Sequence, residues 1–142
     1  MDRNKIVIVG TGALATLFGA RLSQAENQVA ILGSWKEALD AFSEKGAQIE
    51  GEPAYPVLAY SRPKNCVPVK QALILVKSSQ TCRAGKVLFS CLDDDGMVLT
   101  LQNGLGNKEK LSLAVGADRV LSGVTTIGAR LLSPGLVQVT GN

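Results

Sequence analysis

Three small residues at fixed spacing, Gly10, Gly12 and Ala15, could cradle a phosphate, and two later side chains, Lys77 and Asn103, could act on an oxygen beside it. In KIVIVGTGALATLFGARL, residues 5–22, an apolar β-branched run from Ile6 to Val9 enters the glycine turn, and Leu14, Leu17, Phe18 and Leu22 leave it with helical spacing. Gly10 lets the chain turn sharply off the strand. Gly12 removes the Cβ that would hold a pyrophosphate away from the backbone, and Ala15 keeps the helix close to the strand. The first N–H groups of the helix then face the phosphates, aided by the positive end of its dipole. A turn that serves packing alone is the alternative, and the framing strand and helix at the start of the chain argue against it.

Lys77 and Asn103 must be delivered by strands. Ala72–Val76 (ALILV) and Met97–Leu101 (MVLTL) are apolar throughout, as central parallel strands are, and each ends in polar residues, Lys77-Ser78-Ser79-Gln80 and Gln102-Asn103-Gly104. Ligands of open α/β sheets bind beyond the carboxyl ends of the strands, so both side chains belong to one functional edge. The ammonium of Lys77 and the amide of Asn103 can orient a carbonyl compound and place positive charge at its oxygen. Against this, a lysine ending a strand is often only solvated, and Asn-Gly is a turn signal first.

The other elements follow in chain order. A second strand, Val29–Leu32, ends at Gly33-Ser34-Trp35-Lys36, with no carboxylate before Glu37. NAD-binding domains usually hold the adenosine ribose with Asp or Glu at this place, whereas a serine hydroxyl and a lysine ammonium suit a 2′-phosphate, so Ser34 and Lys36 favour NADP(H). Trp35 either lies near the adenine or packs over the helix start. A helix is expected over 35–45 with Ser34 as N-cap and Gly46 as terminator. The proline-richer stretch 47–68 reads as a decoration, its pieces 47–49 and 57–60 forming small strands or a hairpin. A helix over about 79–92 carries Cys82 and Cys91 as small apolar residues, and Asp93-Asp94-Asp95-Gly96 closes it as a solvated turn, with a metal site as the alternative. A short helix from Asn107, a stretch over 124–129, and a Pro134-Gly135 turn before a closing strand complete the chain.

The whole is one α/β dinucleotide-binding domain over 1–142, Rossmann-like and doubly wound, with a mostly parallel sheet and helices on both faces. Its 142 residues suffice for a core, and 46% hydrophobic against 19% charged residues is unlike a disordered chain. A net charge of +3 with scattered basic residues gives no nucleic-acid footprint. No apolar run approaches the ~20 residues of a membrane span and no signal-peptide pattern opens the chain, so a cytoplasmic protein with no membrane partner is expected. Three cysteines without a CxxC pair, and no histidine, leave too few ligands for zinc, so no metal site is assigned. The lack of histidine also makes lysine the obvious acid or base at neutral pH.

Four stretches in this order, GTGALATLFGARL, LILVKSSQT, LTLQNGLGNKEKL and GVTTIGARLLSPGLVQVTG, resemble the amino-terminal domain of the ketopantoate reductases, over almost the whole chain. The resemblance implies NADPH-dependent reduction of ketopantoate, a 2-oxo acid, to pantoate, a step toward pantothenate and coenzyme A. It makes Gly10, Thr11, Gly12, Ala13, Leu14 and Ala15 the pyrophosphate loop and puts Lys77 beside the nicotinamide. It makes Asn103 a contact to cofactor and substrate, and Ala129 a backbone neighbour of the nicotinamide end. Family members often carry arginine where Ser34 stands and glycine where Ala15 stands. They also have a second, helical domain that supplies the proton-donating lysine and most of the substrate pocket. The chain stops at Asn142, just after a strand-like run, so a fragment of a larger protein is expected, inactive alone, with a stand-alone NADP(H)-binding module or a reductase of another 2-oxo acid as alternatives. The apolar face left by such an absence is expected to favour pairing, with a second copy or with a partner.

Overall fold

A computed structural model describes residues 4–141 apart from 67, 103 and 104. Among the described residues, six strands build one sheet: β1 (Lys5–Val9), β2 (Gln28–Leu32), β4 (Leu58–Tyr60), β5 (Val69–Ile74), β6 (Leu92–Thr100) and β7 (Val120–Ser122). They lie in the order β4-β2-β1-β5-β6-β7 and every pairing is parallel. The chain starts in the middle, winds outward through β2 to β4, then returns to wind the other way from β5. The order therefore reverses between β1 and β5, which opens a crevice beyond their carboxyl ends.

Alternation along the strands sorts the core into two layers. Ile8, Ile31 and Leu73 pack with Ala15, Leu17 and Ala20 of α1 (Ala13–Gln24) and with Ala38 and Phe42 of α2 (Lys36–Lys45). Val7, Val9, Leu32, Ile74 and Val98 face the other way, onto Ala84 and Leu88 of α3 (Thr81–Cys91) and Leu111 and Val115 of α4 (Asn107–Val115). The helices thus cover both faces, two on each. A second sheet, in the order β3-β9-β8, is made of β3 (Gln48–Ile49), β8 (Gly128–Ser133) and β9 (Leu136–Gly141). Val137 of β9 joins the α1 layer, fully buried. No helix among the described residues is long and apolar enough to cross a membrane.

Several expectations are corrected. Trp35, not Ser34, occupies the N-cap of α2, and no side chain caps that end; Gly46 terminates the helix, its N–H bonding to the Phe42 carbonyl at φ +88°. Part of the 47–68 decoration is integral, because β4 pairs with β2 as the edge of the main sheet, Ala30 opposite Leu58. Asp93, Asp94 and Asp95 lie in the extended start of β6 rather than in a turn, and Asp95 pairs with Lys70 at 3.5 Å. No group of residues that could hold a metal ion occurs among the described residues. Cys91 is buried as expected but Cys82 is exposed, because α3 turns it away from the sheet.

An apolar groove of about 320 Å³ remains open on the α1 side of the sheet, lined by Ile6, Phe18, Leu73, Met97, Leu99 and Leu121 among others. Hydropathy alone could not place such a face, because residues 72–74 of β5 and 97–99 of β6 are apolar on both sides.

Cys66 and Cys91 are buried in the α3 layer. Burial pushes the Cys66 thiol up to about 11, with the neighbouring Cys91 adding to the rise and Lys5 opposing it. Above the ordinary thiol range the unfolded chain loses this proton and the folded chain keeps it, so stability falls as pH rises. The decline is expected between about pH 9 and pH 11, by at most about 1.4 kcal/mol per pH unit. Urea unfolding across that range should show it, and Cys66→Ala should flatten the slope.

Candidate functional site

The crevice at the strand reversal is a cavity of about 350 Å³. Its centre is the glycine turn. The Gly10 N–H bonds to the Leu32 carbonyl at 3.0 Å and the Leu75 N–H to the Val9 carbonyl at 2.9 Å, which ties the turn to both neighbouring strands. Gly10 has φ +137°, and a Cβ there would sit 2.9 Å from the Leu75 carbonyl oxygen, so the position requires glycine twice over.

Gly12 is different. Its φ of −87° suits any residue, and a Cβ built on it would meet no atom of the protein within 4 Å. Gly12 is also the N-cap of α1, and no side chain caps the helix. The unpaired N–H groups of a 12-residue helix thus begin in open space on the cavity wall, where an anion can take them up. A dinucleotide fits this chain in that respect: the volume a side chain would fill is free for a pyrophosphate. Ala15 is fully buried against the sheet and does not line the cavity, which agrees with a packing role.

Of the other sequence candidates, Ser34 and Lys77 line the cavity with Gly10, Thr11 and Gly12. Ala13 and Leu14 form the first turn of α1 and pack into its layer. Lys36 lies outside the lining, exposed and ion-paired to Asp40 at 2.7 Å, a bond that raises its ammonium pKa. Ala129 sits on β8 opposite Val139, packed against the α1 layer and away from the cavity. Asn103 lies outside the described residues. Trp35, left open between two roles, lines the cavity.

Sequence reasoning missed Ser61, Pro63, Gln80 and Arg83, which also line it. A signal for the last two was present: Gln80, Arg83, Ala84 and Val87 recur at helical spacing after the Lys77 strand end, so one face of α3 walls the crevice.

Behind Lys77 a buried polar network joins four elements. The Gln102 amide donates to the Val76 carbonyl at 2.8 Å and to the Thr81 hydroxyl at 2.9 Å, while the Thr100 hydroxyl donates to its Oε1 at 2.8 Å. The Thr81 hydroxyl lies 2.9 Å from both the Ser78 carbonyl and Asn107 Oδ1. Thr81, Thr100 and Asn107 are at most 3% exposed. The network pins the end of β5 to the end of β6 and to the starts of α3 and α4, and so fixes the backbone from which Lys77 projects. Thr81→Val keeps the shape but strips a donor-acceptor from this core. It is expected to cost about 2 kcal/mol in chemical denaturation, with Thr81→Ser near wild type.

The ketopantoate reductase PanE/ApbA family model matches residues 6–142. The chain belongs to that family. A 2-dehydropantoate 2-reductase of Halobacterium salinarum is 37% identical over 143 residues, covering 96% of this chain and 46% of the relative. Among solved structures, 2-dehydropantoate 2-reductase from Geobacter metallireducens GS-15 is 30% identical with a TM-score of 0.83, over 97% of this chain and 46% of that one. D-mandelate dehydrogenase in a ternary structure with NADH and anilino(oxo)acetate is 27% identical with a TM-score of 0.85, again over 97% and 46%. The chain therefore spans about half the length of the relatives it matches.

Proposed function

We propose that this chain is the cofactor-binding half of an NADPH-dependent 2-dehydropantoate 2-reductase, which reduces ketopantoate to pantoate toward pantothenate and coenzyme A. The observation that carries the reading is the open cradle at Gly12, at the strand reversal, with the uncapped start of α1 beside it and Lys77 lining the same cavity. NADPH, when bound, supplies a hydride for the carbonyl carbon of the substrate.

The chain's own residues then do three things. The first N–H groups of α1 hold the pyrophosphate, with Gly10 and Gly12 keeping the backbone close. Lys77, at the end of β5, sets an ammonium where negative charge develops on the carbonyl oxygen. Asn103, by family resemblance, orients cofactor and substrate. The proton that completes the alcohol is assigned to the half of the relatives that this chain does not span, so the chain by itself is expected to bind cofactor without turnover.

A second reading, an NADH-using reductase of another 2-oxo acid, is favoured by the NADH in the D-mandelate dehydrogenase structure. Parallel titration with NADPH and NADH, followed by fluorescence of the nicotinamide and of Trp35, separates the two. Binding of NADPH well ahead of NADH supports the first reading, the reverse order supports the second, and binding of neither overturns both.

A further inference from the structure

The cavity is sorted by chemistry along its length. Lys77 and Arg83 are its cations, and no carboxylate lines it among the described residues. Lys77 lies just beyond β5, before a 3-10 turn (Ser78–Gln80), and Arg83 stands six residues on, in the first turn of α3. The rise of such a segment separates the two by on the order of 10 Å. α3 packs on α4 on one side and on the turn Pro63–Cys66 that follows β4 on the other. Arg83 lines the cavity together with Ser61 and Pro63 of that turn's side, beyond β2 and β4, the outer half of the sheet.

That same half contributes Ser34 and Trp35 from the end of β2, and Ser61 and Pro63 from the end of β4. Arg83 makes no ion pair or hydrogen bond with another described residue. A dinucleotide laid across the glycine turn has its two nucleosides on opposite sides of the pyrophosphate. With the Lys77 side taken by the reacting end, the adenosine lies on the side of β2 and β4. A ribose diol is best held by a carboxylate, which accepts two hydrogen bonds, and none lines this half. A planar guanidinium with two hydroxyls suits a phosphate monoester, which takes a bidentate fork and two further donors.

We propose that Arg83, with the hydroxyls of Ser34 and Ser61, forms a 2′-phosphate subsite, so that the cation selecting NADP(H) over NAD(H) stands on α3 and not on the β2–α2 loop. The proposal rests on the dinucleotide reading above and deepens it. Lys36, the cation at the start of α2, is already paired with Asp40.

The test is calorimetric titration of wild type, Arg83→Gln, Arg83→Lys and Ser61→Asp with NADPH, NADH, 2′,5′-ADP and 5′-AMP, each protein checked by thermal melting. Wild type is expected to bind NADPH at least 10-fold tighter than NADH. Arg83→Gln should weaken NADPH and 2′,5′-ADP by 10- to 100-fold while leaving NADH and 5′-AMP within about 2-fold, and Arg83→Lys should fall between. Ser61→Asp, which sets a carboxylate at the same place, should shift the preference the same way without touching Arg83. Equal losses for both dinucleotides in Arg83→Gln would assign the guanidinium to the adenine or the pyrophosphate and overturn the proposal, as would an unchanged preference. A wild type that binds NADH and NADPH alike also overturns it while leaving the dinucleotide reading intact. One that binds neither removes the reading and the proposal together.

Discussion

Gly12→Leu is expected to weaken dinucleotide binding by at least 100-fold and to leave the melting temperature within about 5 °C of wild type. The two halves of that expectation have separate causes. A leucine at this position meets no protein atom within 4 Å of its Cβ and no backbone strain at φ −87°, so the fold has nothing to resist. An apolar N-cap in place of glycine costs the helix only on the order of 1 kcal/mol. The side chain does, however, occupy the space next to the first N–H groups of α1, where the pyrophosphate must come within hydrogen-bond distance. Losing two or three charge-assisted bonds to backbone donors is worth at least 100-fold. The same change at Gly10 would not be informative, because a Cβ there lies 2.9 Å from the Leu75 carbonyl and unfolding would accompany any loss of binding. Fluorescence titration with NADPH beside a thermal melt decides the matter. Retained affinity in a folded Gly12→Leu would mean that the turn is structural and that the anion site lies elsewhere in the cavity.

The contrast between Gly10 and Gly12 also marks how far the sequence could be read. The motif named both glycines, and the strand and helix around them, because hydrophobic periodicity and turn chemistry are local. The two central strands ending in Lys77 and Gln102 were legible for the same reason, as runs of buried residues cut off by polar ones. What was not legible depends on residues far apart in the chain. The short strand at 57–60 was legible, but its place was not: that comes from pairing with β2, with Ala30, Ile31 and Leu32 opposite Leu58, Ala59 and Tyr60. Arg83 shares a helical face with Gln80 and Val87, but nothing local says that this face of α3 meets the cavity and the turn after β4. Thr81, Thr100, Gln102 and Asn107 look like ordinary cap and strand-end polar residues, yet they converge from three segments into one buried network. Cys82 and Cys91 are nine residues apart on α3, which is two and a half turns, so one faces solvent when the other faces the sheet. The helical period contained that answer, and the composition of the residues concealed it.

Lys77→Ala is expected to lower kcat/KM for ketopantoate by about 10²- to 10³-fold, in a protein that joins this domain to the second half its relatives possess. Dissociation of NADPH should change less than 10-fold. The split follows from where the charge is needed. In the ground state the carbonyl oxygen carries little charge and an ammonium beside it contributes modestly. As the hydride reaches the carbon, a full negative charge builds on that oxygen, and a preorganised cation in a site shielded from water then contributes most. Lys77 is suited to this because its backbone is held: it follows Val76, whose carbonyl accepts the Gln102 amide, and it precedes a turn whose Ser78 carbonyl lies 2.9 Å from the buried Thr81 hydroxyl. No carboxylate among the described residues pairs with it, so its charge is not already neutralised. Lys77→Arg keeps the cation but displaces it, and should recover part of the rate, whereas a role in cofactor binding alone would raise the NADPH dissociation constant and spare the rate at saturation. Steady-state kinetics at saturating NADPH, beside equilibrium titration of the same variants, separates these outcomes. An unchanged kcat in Lys77→Ala would remove the ammonium from the reacting centre and leave it a surface lysine at the mouth of the cavity.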